Sequence, residues 1–130
     1  MIVVDTSAVL AAVVGRPHSP SLRERLAREE WHAPHLIDVE FMHALRRLVA
    51  DRALSVSRAD EAREDLLDLS IVRYPHTQLL DRIWELRATL TAYDAAFVAL
   101  AEALRAPLIT CDGRLARARG HAATVEHFAR

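Results

Sequence analysis

The sequence predicts an α/β fold in which a parallel sheet of four to five short strands is covered by helices on both faces. Three observations carry this. Short β-branched runs without polar alternation, at residues 2–4, 71–72 and 108–110, are the pattern of strands buried on both sides. Segments with helical spacing separate them. With 130 residues, 52% of them hydrophobic and only 3 Gly and 5 Pro, the chain has the composition of one packed domain, taken as residues 1–130, and not of a disordered or repeat protein.

Ile2-Val3-Val4 is the first strand, and it ends at Asp5-Thr6-Ser7. Residues 8–13 then read as a helix capped by Thr6 or Ser7. Residues 15–20 form a loop, and 21–30 a charged surface helix. Trp31-His32-Ala33 is a second strand, after which Asp38 caps a helix over 39–50 with Met42, Leu45, Leu48 and Val49 at helical spacing. Ser57-Arg58-Ala59-Asp60 has the form of a capping box opening a helix that buries Ala62, Leu66 and Leu69. Pro75 stops the strand at 71–72 and precedes a helix through Leu79, Leu80, Ile83 and Leu86. Residues 91–104 make a nearly all-apolar, hence buried, helix. A strand at 108–110, a short helix over 112–118 and a last strand at 124–125 complete the order.

The charge balance excludes several classes. Seventeen basic residues against 18 acidic ones leave a net charge of -1, so no global basic field holds a nucleic acid, and any such contact must be local. All the basic residues are Arg; the missing Lys removes the phosphate-binding loop of nucleotide hydrolases. One Cys allows neither an internal disulfide framework nor a zinc site of paired cysteines. The apolar start, residues 1–14, lacks the basic residues of an export signal, is interrupted by Asp5 and is too short to span a bilayer, so a cytoplasmic protein without membrane contact is expected.

In a parallel α/β sheet, ligands bind outside the edge where strands end and helices begin. Four acids from distant segments fall there: Asp5 and Asp112 just after strands, Glu40 and Asp94 in first helical turns. Each has an ordinary reading, as a helix cap or dipole partner. Together they imply a cation, since two carboxylates about 5 Å apart repel by roughly 3 kcal/mol at an effective dielectric of 20. Oxygen donors without paired Cys or His point to Mg²⁺ or Mn²⁺, ions that serve phosphodiester hydrolysis. The scattered His and the lone Cys111 show no metal or nucleophile spacing.

Val3-Val4-Asp5-Thr6-Ser7-Ala8, Glu40 followed by Ala44-Leu45-Arg46-Arg47, Leu90-Thr91-Ala92-Tyr93-Asp94-Ala95-Ala96-Phe97 and Thr110-Cys111-Asp112-Gly113-Arg114-Leu115 resemble the four acidic motifs of PIN-domain ribonucleases, in order and over the whole chain. The resemblance is strongest to VapC-type toxins of bacterial toxin-antitoxin pairs. It implies a three-layer sandwich, endoribonuclease activity with Mg²⁺ or Mn²⁺, and Asp5, Glu40, Asp94 and Asp112 as the catalytic, metal-binding acids. It also implies Thr6, Ser7 and Thr110 as supporting polar groups, a homodimer, and a cognate antitoxin protein that blocks the site. Asp5 and Asp94 are read as principal ligands, with Arg46, Arg47, Arg114, Arg117 and Arg119 as candidates for RNA phosphates. The helices at 21–30 and 57–69 are candidates for the dimer or antitoxin surface. A PIN-like module that binds a partner without catalysis, and a metal-dependent phosphoesterase acting on DNA or small phosphate esters, are the alternatives.

Overall fold

The structure, a computed structural model, describes residues 1–15 and 19–129. Five parallel strands form one sheet, β1 (Ile2–Val4), β2 (Trp31–Pro34), β3 (Ile71–Tyr74), β4 (Leu108–Thr110) and β5 (Val125–His127), in the order β3-β2-β1-β4-β5. The central strand is the most apolar, as burial on two faces requires: Ile2, Val3 and Val4 are all fully buried. Its register places Val3 opposite His32 on one side and Leu108 on the other.

Helices α1 (Thr6–Val14), α2 (Pro20–Leu26), α3 (Leu36–Ala50) and α4 (Val56–Asp68) pack on one another as one layer, and α5 (Leu80–Glu85) with α6 (Ala92–Leu104) forms the other. The short α7 (Gly113–Arg117) sits against β4 and β5. Phe41 and Phe97, the largest fully buried side chains, come from α3 and α6. Among the described residues, no helix is long and apolar enough to cross a membrane.

The expected fold class and strand sequence are present; several boundaries differ. The cap of α1 is Asp5, not Thr6 or Ser7: its carboxylate accepts from the N–H of Ala8, so the helix opens at Thr6. Of the expected loop at 15–20, Arg16, Pro17 and His18 lie outside the described residues, and Pro20 already belongs to α2. Ser19 caps that helix, and proline is well placed at its first position. The helix expected over 21–30 ends at Leu26, because the chain must turn to enter β2; Glu30 already accepts the Ile2 N–H beside β1.

Asp38 does not cap α3, which begins at Leu36 and has no side-chain cap. Asp38 instead takes a two-pronged contact from Arg73 of β3, at 2.7 and 2.8 Å. Ser55, two residues before the expected Ser57, caps α4. The helix expected through Leu86 is broken into a 3₁₀ turn over Thr77–Leu79 and α5, which stops one residue short of Leu86. The last strand runs two residues further than expected, ending at His127.

Candidate active site

Strand β1 delivers Asp5 to the edge of the sheet, and the neighbouring hydroxyls fix it there. Ser7 donates to Oδ1 at 2.6 Å and the Ala8 N–H donates to the same oxygen at 2.9 Å. Thr110, at the end of β4, donates to Oδ2 through a short hydrogen bond. Ser7 in turn accepts from the N–H of Cys111 at 2.8 Å, and Thr110 from the N–H of Asp112 at 2.9 Å. Two hydroxyls thus tie the end of β1 to the end of β4 and hold both strand-end aspartates in register.

The other acids come from the helices. Asp112 caps α7, accepting the Arg114 N–H at 2.9 Å. Glu40 lies in the second turn of α3, not the first, because that helix starts earlier than its sequence implies. Thr6 reaches across from α1 to donate to its Oε1 at 2.6 Å. Asp94 stands in the first turn of α6, with its N–H donated to the capping Thr91 at 3.2 Å.

All four acids line one cleft of about 650 Å³, together with Thr6, Ser7, Leu10, Leu36, Val39, His43, Ala44, Arg47, Tyr93 and Phe97. Its electrostatics are those of unneutralised acids. Asp5 is only 6% exposed. Burial pushes its carboxyl up to about 6, against the opposing hydrogen bonds of Ser7, Thr110 and Ala8 and with help from the charge of Asp94. Burial also raises Glu40 and Asp94, the first opposed by Thr6 and raised further by Asp94, the second raised further by Asp112 and relieved by Arg114. Among the described residues no ion pair involves Asp5, Glu40 or Asp94, while Asp112 has Arg114 at 3.7 Å.

Donor chemistry here suits a hard divalent cation: carboxylate and hydroxyl oxygens around a negative, partly desolvated cleft. Among the described residues, no three acidic, imidazole or thiol side chains stand close enough to enclose an ion by themselves.

Of the polar residues expected to support the acids, Thr6 donates to Glu40, and Ser7 and Thr110 donate to Asp5. The arginines divide. Arg47 lines the cleft and Arg114 stands beside Asp112, but Arg46 is exposed outside the lining. Arg117 lies over Gly113, where an added Cβ would stand 2.8 Å from its Nη1. Arg119 is exposed, with its carbonyl accepting from Thr89. Sequence reasoning did not single out Val39, His43 and Tyr93. The spacing 36, 40, 43 and 47 along one face of α3 is the signal that finds His43; Tyr93 is found by its place next to Asp94.

A parallel sheet in this order, with four acids at its strand-end edge, defines a PIN-like nuclease scaffold, and the PIN domain family model matches residues 2–121. The chain belongs to the PIN-domain family, and within it to the VapC group. Ribonuclease VapC9 of Mycobacterium tuberculosis is 46% identical over 115 residues, covering 88% of each chain. Ribonuclease VapC12 of the same species is 40% identical over 126 residues, covering 97% of this chain and 98% of its own. Among solved structures, VapBC2 from Rickettsia felis, bound to a DNA fragment from its promoter, superposes with a TM-score of 0.69 at 15% identity, covering 98% of this chain and 99% of that one. That likeness bears on the fold.

Proposed function

We propose that the protein is a divalent-metal-dependent endoribonuclease, hydrolysing RNA phosphodiester bonds as the toxin of a toxin-antitoxin pair. The observation that carries the reading is the convergence of Asp5, Glu40, Asp94 and Asp112 on one cleft, three of them without an ion pair among the described residues. The relatives named VapC ribonuclease support the choice of RNA. Asp5 and Asp94 would hold the ion, with Asp112 and Glu40 completing or orienting its water shell.

A divalent ion held by these acids, Mg²⁺ or Mn²⁺, would supply a more acidic water and positive charge against the phosphate oxygens. The side chains do the rest. Ser7 and Thr110 hold the Asp5 carboxylate rigid, so that its ligand geometry is set before substrate arrives. Thr6 fixes Glu40 through Oε1; Oε2, which carries no hydrogen bond among the described residues, is the atom that accepts a proton from the attacking water. As the new P–O bond forms, the P–O bond to a ribose oxygen breaks, and that oxygen is protonated from solvent. Arg114 beside Asp112 meets the substrate phosphate.

The same reading supplies partners and place. A cognate antitoxin protein covers the cleft, the working unit is a homodimer, and both act in the cytoplasm. Purified protein freed of antitoxin should cut single-stranded or structured RNA with Mg²⁺ or Mn²⁺ and stop in EDTA. Full activity in EDTA overturns the metal mechanism, and cleavage of DNA but not RNA overturns the substrate assignment.

A further inference from the structure

Two of the large hydrophobic side chains that the molecule leaves exposed lie at the acidic cleft. Val39 of α3 is 70% exposed and Tyr93 of α6 is 61% exposed, and both line it. The other exposed hydrophobics, Met1, Val56, Leu67, Val72, Leu80 and Trp84, lie away from that lining. Tyr93 also directly precedes Asp94, so its ring is carried by the same helical turn as a proposed metal ligand. Along α3, His43 and Arg47 continue the Glu40 face outward, with Arg47 about 10 Å of helix rise beyond Glu40. An aromatic face and an outlying cation beside a phosphodiester site are the two components that hold single-stranded nucleic acid: a ring under a base and a positive charge on the backbone.

We propose that Tyr93, with Val39 of α3 lining the same cleft, is a stacking platform for one unpaired base next to the scissile phosphate, and that Arg47 holds a neighbouring phosphate of the same strand. The proposal rests on the ribonuclease reading and specifies how that site selects its substrate. An aromatic face accepts any base, so the platform selects for an unstacked nucleotide and not for its identity. A base inside a duplex is already stacked and gains nothing from Tyr93. RNA loops and single strands are therefore favoured by the wall of the cleft, independently of the metal chemistry at its floor.

The test measures binding of a labelled single-stranded oligo(A), and of a base-free ribose-phosphate chain of equal length, with Ca²⁺ in place of Mg²⁺. Cleavage of the oligo(A) with Mg²⁺ is followed separately. Tyr93→Ala should weaken oligo(A) binding about tenfold, while Tyr93→Phe keeps it within about twofold. Neither variant should change affinity for the base-free chain. Arg47→Ala should weaken both ligands alike and flatten the salt dependence. Tyr93 is largely exposed, so both variants should melt with the wild type.

Oligo(A) binding by Tyr93→Ala equal to that of wild type overturns the platform, as does an equal loss on the base-free chain. So does a Tyr93→Ala variant whose only defect is in holding an antitoxin. A wild type that cuts RNA while Tyr93→Ala binds and cuts as well defeats the platform alone. One that binds oligo(A) through Tyr93 but cuts no RNA keeps the platform and defeats the ribonuclease reading.

Discussion

Helix α6 carries an acid at each end, and the two are treated in opposite ways. At its start Asp94 faces the cleft without an ion-pair partner among the described residues, and burial together with the charge of Asp112 raises its pKa. In its last turn Glu102 is gripped by Arg82 at 2.8 and 2.9 Å and accepts the Ala122 N–H at 2.7 Å, so its pKa is lowered. The rest of the molecule follows the same division. Asp5 and Glu40 are raised at the strand-end edge, whereas Arg25 lowers Glu126, and the N-terminal amine, with Arg25 after it, lowers Glu29. The bidentate arginine contacts, Arg25 on Glu126, Arg73 on Asp38 and Arg82 on Glu102, fall on acids outside the cleft, whereas Arg114 stands only at 3.7 Å from Asp112. The contrast is that, among the described residues, Asp5, Glu40 and Asp94 stand without an ion pair while acids such as Glu102 and Glu126 elsewhere on the surface are paired, which is the electrostatic setting that the proposed cation would require.

The largest effect separates the two ends of α6 by activity. Asp94→Asn, and equally Asp5→Asn, should reduce RNA cleavage by about a hundredfold or more and relieve growth arrest on expression, since the amide keeps the shape and removes the charge a hard cation needs. Glu102→Gln and Asp65→Asn should cleave like the wild type. Glu102→Gln should instead cost about 1 kcal/mol of stability by denaturant titration, a modest value because Arg82 is partly open to solvent. An active Asp94→Asn enzyme returns that residue to a helix-capping role and removes the contrast.

The next effect sharpens the comparison by pH, because the two groups of acids pull stability in opposite directions. Asp5 has a folded pKa near 6 against an ordinary value of 3.8, so its ionisation is opposed by folding. The metal-free fold should lose up to about 3 kcal/mol from this residue as pH rises from about 4 to about 6, and nothing more above that range. Glu102, with a lowered pKa, contributes stability that is complete above its ordinary value of 4.5 and fades as pH falls below it. Denaturant melts in EDTA should show the loss with rising pH shrinking in Asp5→Asn, where Glu40 and Asp94 still contribute, and the loss with falling pH shrinking in Glu102→Gln. At a hundredfold excess over its dissociation constant, Mg²⁺ or Mn²⁺ should restore about 2.7 kcal/mol to the wild type and much less to Asp5→Asn. Metal-free Asp5→Asn with the wild type's full alkaline loss would sink the assignment of the raised pKa to Asp5.

The smallest effect lies within the cleft. Thr6→Val removes the 2.6 Å hydrogen bond that restrains Glu40 and leaves the Asp5 network untouched. Metal titration of cleavage should show affinity falling by about tenfold, the ordinary weight of a group that orients a ligand. No change in metal dependence would mean that Glu40 has no part in the metal-water shell.

Much of this architecture is legible in the sequence. The apolar run at 2–4 and the largely apolar one at 108–110 announced strands covered on both faces, and Asp5, a carboxylate directly after the first, had few ordinary reasons to be there. The apolar helix ahead of residue 104 announced its own burial. These are local signals, carried by residues within a turn or a strand of each other.

What the tertiary structure alone decided are the choices made by distant partners. Asp38 could cap a helix, but Arg73, 35 residues away, claims it, and the helix begins earlier as a result. Arg46 and Arg47 are indistinguishable in the sequence, yet successive helical residues point about 100° apart, and only Arg47 lines the cleft. Thr6 and Ser7 offered themselves as caps for their own helix; with Asp5 capping it, their hydroxyls serve Glu40 and Asp5. Strand order is of the same kind, since β1 lies between β2 and β4 through crossovers that no local pattern encodes. The sequence by itself determined which acids reach the edge of the sheet, because strand and helix starts are written in neighbouring residues. Which of those acids stay unpaired depended on where distant arginines came to rest, and folding alone decides that.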